Sequence, residues 1–285
     1  MLPATLSPNA HVDLHLHTRI SDGSWEPVAL FDALAAGDFR LVAVTDHDRV
    51  DRLPELAALA AARDLALLPG VEVTTNWHGR TAHLLCYARD LSPESSLARL
   101  AAATVRAVRA QTTAVRAELE RRGCAFPRRD EVLADLDDPL ARPASNARLL
   151  LAHGHAASMG DALALIADAG YQIISAPLGE AVAAAHASGA VAVLAHPGRE
   201  DAEISRYAPD QLTILLDELP LDGLEAYYPL HTPEQTAAYL ALARERGLLV
   251  SAGSDSHGPR QRLPIAYPAH DVAALLERLG ITLRD

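Results

Sequence analysis

The 285-residue chain contains no lysine: all 25 of its basic residues are arginine. Schiff-base chemistry on a lysine amine is therefore excluded. Any fixed cation that grips an oxyanion has to be a guanidinium, which can do so through two parallel hydrogen bonds. Cysteine is nearly absent. Cys86 and Cys124 stand far apart and in no CxxC pair, which argues against a disulfide framework and predicts free thiols. Aromatic residues make up 4%, so the core must rest on Ala, Leu and Val. No apolar run reaches the roughly 20 residues that cross a bilayer. Residues 1–10 lack the basic start and apolar stretch of a secretory signal. These absences predict a cytoplasmic protein with no membrane contact and a loose arm over residues 1–10. Neither glycine-rich phosphate loop, GxGxxG or GxxxxGKS/T, occurs. The formal net charge of −12 excludes a protein that coats nucleic acid through a uniformly basic surface. The charge is uneven, however: residues 97–150 hold ten Arg against seven Asp and Glu.

What the chain does hold is histidine, 13 in all. Three fall in residues 11–17, His-Val-Asp-Leu-His-Leu-His, where polar and apolar residues alternate. Alternation reads as a half-buried strand, whose side chains point to opposite faces every second residue. His15 and His17 share a face, about 7 Å apart along the chain. At that spacing two imidazoles can converge on one metal ion, and taken alone the motif fits a polar strand end as well. Later strands supply matching groups. Leu41–Thr45 is a short apolar strand leading into Asp46-His47-Asp48. Leu65–Thr75 carries Glu72, and Thr81–Ala88 carries His83. Ala190–Ala195 runs into His196. Leu224–Tyr228 is a further strand, and Leu248–Ala252 runs into Asp255 and His257.

Between the strands, apolar spacing and punctuation predict helices over Pro27–Gly37, Leu53–Ala62, Leu178–Ser188, Asp210–Glu218, Pro233–Arg246 and Asp271–Leu279. Such alternation implies a parallel sheet with crossover helices. Residues 92–175 break the pattern with helices alone, at Leu97–Arg122, Arg129–Leu136, Ala144–His153 and Gly160–Ala169. The prediction is an α/β protein: a seven-stranded (β/α) barrel over 11–91 and 176–285, with 92–175 as a helical insertion. Reactive groups gather at strand C-termini in such a barrel. An open doubly wound sheet is the alternative, but it collects its ligands at one crevice.

The segments that carry these groups are His15-Leu-His17 with Ser21-Asp22-Gly23, Thr45-Asp46-His47-Asp48, Gly70-Val-Glu72, His83, Ala195-His196-Pro197-Gly198-Arg199 and Gly253-Ser254-Asp255-Ser256-His257. In this order they resemble the PHP family, named for polymerase and histidinol phosphatase domains. The resemblance implies a distorted barrel holding two or three divalent ions. It assigns His15, His17, Glu72 and Asp255 to a first ion, Glu72, His83 and His196 to a second, and Asp22, His47 and His257 to a third. Imidazole with carboxylate suits manganese, iron or zinc. Nine ligands for three ions leave positions open for water and substrate, or else the third set is hydrogen-bonded support around two ions. Asp13, Asp46 and Asp48 either cap strand ends or orient the histidines. His11, His78, His153, His155, His186 and His270 match none of the motifs.

The resemblance also implies an activity: hydrolysis of phosphate esters of nucleotides or short oligonucleotides. The branch with this layout includes nucleoside 3′,5′-bisphosphate phosphatases and 5′–3′ exonucleases. Histidinol-phosphate phosphatase is an alternative, as is a non-catalytic PHP module, which lost ligands would mark; none is lost. The partner implied is a small phosphorylated substrate, with no obligate protein partner. Arg142, Arg148 and Arg199 look like positions that hold substrate phosphate, Arg199 within the reaction site itself. His231, in the stretch from Glu225 to Thr232, is a candidate to touch the substrate and protonate the leaving group. The chain departs from the family where Ala144 follows Arg142-Pro143 and where the end of the insertion offers no lysine. That departure bears on recognition beyond the scissile phosphate.

Overall fold

The computed structural model describes residues 2–200 and 206–285. Its strands are β1 (Thr5–Leu6), β2 (His11–Leu16), β3 (Phe39–Val44), β4 (Ala66–Leu67), β5 (Gly70–Trp77), β6 (Arg80–Tyr87), β7 (Ala176–Pro177), β8 (Val191–Leu194), β9 (Gly223–Tyr227), β10 (Leu249–Ala252), β11 (Tyr267–Pro268) and β12 (Thr282–Leu283). The helices are α1 (Pro27–Ala36), α2 (Leu53–Ala61), α3 (Ser96–Arg121), α4 (Arg129–Val132), α5 (Ala144–Ala152), α6 (Met159–Asp168), α7 (Leu178–Ala187), α8 (Pro209–Glu218), α9 (Pro233–Arg246) and α10 (Ala273–Arg278). The predicted elements recur with three differences: Arg129–Leu136 is helical only over Arg129–Val132, Leu65–Thr75 divides into β4 and β5, and the short strands β1, β7, β11 and β12 have no predicted counterpart; only helical elements lie between β6 and β7.

The strands form two main sheets and a terminal pair. One sheet runs β10-β9-β8-β6-β5-β7 and the other β11-β2-β3-β4. Both are mixed, which corrects the expectation of a parallel sheet. β6 runs antiparallel to β5 and to β8. The cause is local: β5 and β6 are joined by His78 and Gly79 alone, both with positive φ (50° and 77°). Two such residues make a hairpin turn that matches the strand twist, whereas a parallel return needs a crossover of a dozen or more residues. No continuous ladder closes the sheets into a barrel among the described residues. They are stitched at two seams. Glu72 N donates to Thr45 O at 3.0 Å and Asp48 N to Glu72 O at 2.9 Å. At the other seam, His17 N donates to Ser256 O at 3.0 Å and Asp255 N to His15 O at 2.8 Å. Each seam fixes residues of the predicted constellation.

The N-terminal arm is not loose. β1 pairs in parallel with β12, and Ala10 O and Pro8 O accept the amides of Ala269 and His270. The large sheet packs β5, β6 and β8 residues against α7 and α8 in one apolar cluster. Leu30, Phe31 and Leu34 of α1 and Leu56 of α2 cover the small sheet. A third cluster joins both sheets through Leu14, Leu41, Leu85, Tyr87 and Val193. The helices between β6 and β7 have a core of their own around Val115, Leu119, Leu150 and Ile166. No helix among the described residues is long and apolar enough to cross a membrane.

Candidate metal centre

Glu72 is the hub to which the chain brings its histidines. Its Oε2 lies 2.9 Å from Nε2 of both His15 and His17 and 3.4 Å from Nε2 of His47. Its Oε1 lies 2.9 Å from His83 Nδ1 and 3.1 Å from His196 Nε2. Asp255 Oδ1 stands 3.4 Å and 3.3 Å from the Nε2 atoms of His15 and His17. The half-exposed Asp22 sits 3.1 Å from His257 Nε2 and 3.8 Å from His47 Nε2 through Oδ2. Its Oδ1 is 3.6 Å from His17 Nδ1. All nine residues singled out in the sequence as metal ligands therefore meet at one place. The donor atoms of eight of them fall into three overlapping sets, each within 4.8 Å: His15, His17, Glu72 and Asp255; His47, Glu72 and His83; His17, Asp22, His47 and His257. Relative to the expected grouping, His47 keeps its place in the third set and also stands in the second, and His17 also reaches the third. His196 touches the second set through the Glu72 oxygen.

Strand register explains the convergence. His15 and His17 share a face by alternation. Thr74 on β5 pairs with His83 on β6, so Glu72, two residues before Thr74, is the diagonal neighbour of His83 on one face. Because β6 is antiparallel, His83 reaches the site from the first half of its strand rather than from its end. His196 and Asp255 follow β8 and β10 in left-handed conformations, with φ of 27° and 53°. Non-glycine residues adopt these at a cost of about 1–2 kcal/mol, and the turn they make redirects the chain at the strand end. Backbone bonds hold them there: His196 N donates to Glu225 Oε2 at 2.7 Å and Asp255 N to His15 O. Gly253, just before, is required by close approach, since a Cβ there would lie 2.1 Å from His15 Cβ.

Charge at the site is finely opposed. Burial disfavours a proton on His15, but Glu72, Glu225 and Asp255 outweigh it and hold its pKa well above the usual range. The same opposition, won by Asp255 and Glu72, raises His17 to about 10. Burial dominates at His47 and pushes it down to about 3, leaving a neutral imidazole. Burial also lowers His196. The carboxyls of Glu72 and Asp255 sit well below their ordinary range: burial opposes their charge, and the surrounding imidazoles overcome it.

These residues fit a divalent cation. Nε2 of His15 and Nε2 of His17 face each other at 3.0 Å with two carboxylates alongside, a place where one cation can replace the protons that the carboxylates favour on the two rings. His17 Nδ1, His47 Nδ1, His196 Nδ1 and Asp255 Oδ1 are buried without a hydrogen-bond partner among the described residues. Such orphans are costly in a finished core.

The carboxylate that orients a histidine was missed in the sequence. It is Glu225 on β9, fully buried, whose Oε1 lies 2.9 Å from His15 Nδ1. The signal was an acid inside the apolar strand Leu224–Tyr228. Asp13, Asp46 and Asp48 hold backbone instead. Asp13 accepts from Ser254 N and Ile265 N at 2.9 and 3.0 Å. Asp46 accepts from Thr18 N, Thr18 Oγ1 and Ser21 Oγ, and Asp48 accepts from Thr74 N. Tyr228, also missed, donates to Asp255 Oδ2 at 3.1 Å.

The centre opens on two sides. A cavity of about 230 Å³ separates Asp22, His47 and His83 from α3 and residues 141–144 and 171–174. Arg142 lines it and donates to Gly23 O at 2.8 Å. On the other side an open groove passes Asp22, Asp255 and His257. Arg199 lines this groove and donates to Asp255 Oδ2 at 3.2 Å, and Arg262, not singled out in the sequence, lies 5.7 Å from the centre of the Tyr228 ring. Arg148 does not reach the centre. It pairs with Asp135 at 2.7 Å on the outer surface.

His231 differs from its expected role. Its Nδ1 donates to Ala226 O at 3.0 Å and its Nε2 accepts from Gly198 N at 3.2 Å. Both ring nitrogens are thus used to hold the loop after His196, and burial lowers its pKa. Replacing it with Asn is expected to cost about 1–2 kcal/mol through the lost bonds, read as a melting point lower by several degrees. Turnover at saturating metal and substrate stays within about threefold, which a combined melt and kcat measurement checks. Of the unassigned histidines, His78 and His186 pair with Glu218 and Asp222 on the surface. His153 and His155 pin the 125–128 turn.

No protein-family profile matches the chain. It is 32% identical, over 88% of each chain, to a 3′,5′-nucleoside bisphosphate phosphatase of Chromobacterium violaceum. It is 32% identical to the 5′–3′ exoribonuclease Rnm of Escherichia coli, over 87% of this chain and 85% of that one. A solved structure described as a metal-dependent phosphoesterase, from Bifidobacterium adolescentis, superposes with a TM-score of 0.77 at 28% identity, covering 96% of this chain and 98% of the other. With this likeness along nearly its whole length, the chain belongs to the PHP family of metal-dependent phosphoesterases.

Proposed function

We propose that the chain hydrolyses phosphate esters of nucleotides or short oligonucleotides in the cytoplasm, at a centre of two or three manganese, iron or zinc ions. The observation that carries this reading is the set of overlapping donors around Glu72, open on both sides with an arginine at each opening. His15, His17, Glu72 and Asp255 would hold one ion, Glu72, His83 and His196 a second, and Asp22, His47 and His257 a third. Ions of this class supply an acidified water and neutralise charge on phosphoryl oxygens. The chain's own groups do the rest. Glu225 fixes the His15 ring so that Nε2 faces Glu72. Arg199 and Tyr228 hold Asp255 in place from the groove. Arg142 offers a guanidinium to the phosphate from the opposite side. In this reading the seven longer strands, β2, β3, β5, β6, β8, β9 and β10, are the staves of a distorted barrel whose two seams are stitched rather than laddered, and residues 92–175 cover its mouth as a lid.

One panel tests the reading. The purified protein is incubated with Mn²⁺ and adenosine 3′,5′-bisphosphate, a 5′-phosphorylated oligoribonucleotide, histidinol phosphate or an aryl phosphate. One of the first two is expected to turn over at least tenfold faster in kcat/KM than the last two. Absence of turnover on all four with metal bound would sink the reading.

The two arginines of the helical segment should behave differently. Arg142→Ala removes a cation from the wall of the cavity and is expected to raise KM about tenfold to a hundredfold, the scale of a lost charge-assisted hydrogen bond. Arg148→Ala breaks a surface ion pair and leaves both constants within twofold. Steady-state kinetics on the best substrate of the panel checks both.

A further inference from the structure

The cavity beneath the helical segment has two kinds of lining. Asp22, His47 and His83, all members of the donor sets, line it together with Arg142. Ile20, Val105 and Val108 on α3, and Ile173 and Ile174 make up its apolar lining. Arg49, the other guanidinium in the lining, is occupied: it donates to both carboxylate oxygens of Asp51 at 2.8 and 2.9 Å and to Ile20 O at 3.0 Å. The apolar lining thus offers no cation to a second phosphate. Beside the hydroxyls of Thr74, Thr81 and Tyr171, the cavity offers one amide. Gln111, on α3 and half-buried in the lining, makes no side-chain hydrogen bond to any described residue. A volume of about 230 Å³ is below the roughly 300 Å³ at which pockets for whole drug-sized ligands begin. It suits one ring system whose charged remainder lies outside.

We propose that this cavity is a base subsite: it takes the heteroaromatic base of a nucleotide between Ile20 and the α3 valines, with the Gln111 amide against the polar edge of the base. The phosphate then lies toward the donor sets, within reach of Arg142. An amide presents a donor on one side and an acceptor on the other and can turn over, so the subsite admits more than one base. The apolar walls supply affinity and Gln111 supplies orientation. The proposal rests on the phosphoesterase reading only in taking the ligand to be a nucleotide.

Binding, rather than turnover, tests it. The metal-loaded protein is titrated calorimetrically with the non-hydrolysable methylene phosphonate of adenosine 5′-monophosphate, and with the corresponding ribose phosphonate that lacks the base. The wild type is expected to bind the adenosine compound at least tenfold more tightly. Val108→Glu, on the wall of the cavity, and Ile173→Glu, at a residue 42% exposed on a different segment, are each expected to erase that preference while leaving the affinity for the ribose phosphonate within twofold. Equal affinity of the wild type for the two compounds overturns the proposal. So does a preference that survives in either folded variant. Because neither ligand reacts, failure of the phosphoesterase reading shows separately, as an inert protein in the substrate panel.

Discussion

Glu72→Gln is expected to lower kcat/KM by about a thousandfold or more and to strip at least one divalent ion from the protein. The side chain keeps its size, so packing is not the reason. Glu72 has five imidazole nitrogens around its two oxygens, those of His15, His17 and His47 on one and His83 and His196 on the other. The amide removes the charge that all of them share and replaces one acceptor by an NH₂ group aimed at a ring nitrogen. Two of the three donor sets contain Glu72, so both lose their anionic member together, and the loss exceeds that of an oxyanion donor, itself worth a hundredfold to a thousandfold. Metal analysis of protein purified without chelator provides one readout. A melting curve provides another: manganese at a hundred times its Kd stabilises the folded state by about 2.7 kcal/mol, and the variant should forfeit most of that increment. Wild-type metal content and turnover in Glu72→Gln would remove Glu72 from the centre of the mechanism.

The same residues show how far a sequence can be read. His15 and His17 stood out because alternation in a strand fixes which side chains share a face, and His47, His196, Asp255 and His257 because they follow short apolar strands; their assignment to metal, with that of Glu72 within β5, rested on the resemblance of the ordered motifs to the PHP family. The direction of β6 was not legible. It turns on two residues, His78 and Gly79, whose positive φ angles decide between a hairpin and a crossover. His83 lies within reach of Glu72 for that reason. The supports of the site were harder still. Asp13, Asp46 and Asp48 sit next to ligands in the chain yet hold backbone amides. Glu225 lies 210 residues from His15 and touches its ring. Adjacency in sequence is a poor guide to a hydrogen bond made across a sheet, because register between distant strands is set by the whole core. His231 illustrates the converse: a histidine beside an active site reads as a proton donor until both of its nitrogens are seen to be engaged by Ala226 and Gly198.

Glu225→Gln should produce a different defect from Glu72→Gln, one of metal affinity rather than of chemistry. Glu225 does not enter any of the three donor sets. One of its oxygens lies 2.9 Å from His15 Nδ1, and the other accepts the His196 amide at 2.7 Å. It therefore fixes the His15 tautomer that leaves the Nε2 lone pair toward the metal, and it holds the strained turn at His196. Carboxylates behind a ligating histidine are worth about tenfold to a hundredfold in metal affinity. Activity of the variant, assayed against increasing Mn²⁺, should reach at least a third of the wild-type kcat, with the half-saturating concentration raised by that factor. Glu225→Ala should add a buried cavity to the same defect and lower the melting point further. A purely structural role predicts the fall in melting point without any shift in the metal titration. A role in the reaction itself predicts a loss of kcat that manganese cannot restore.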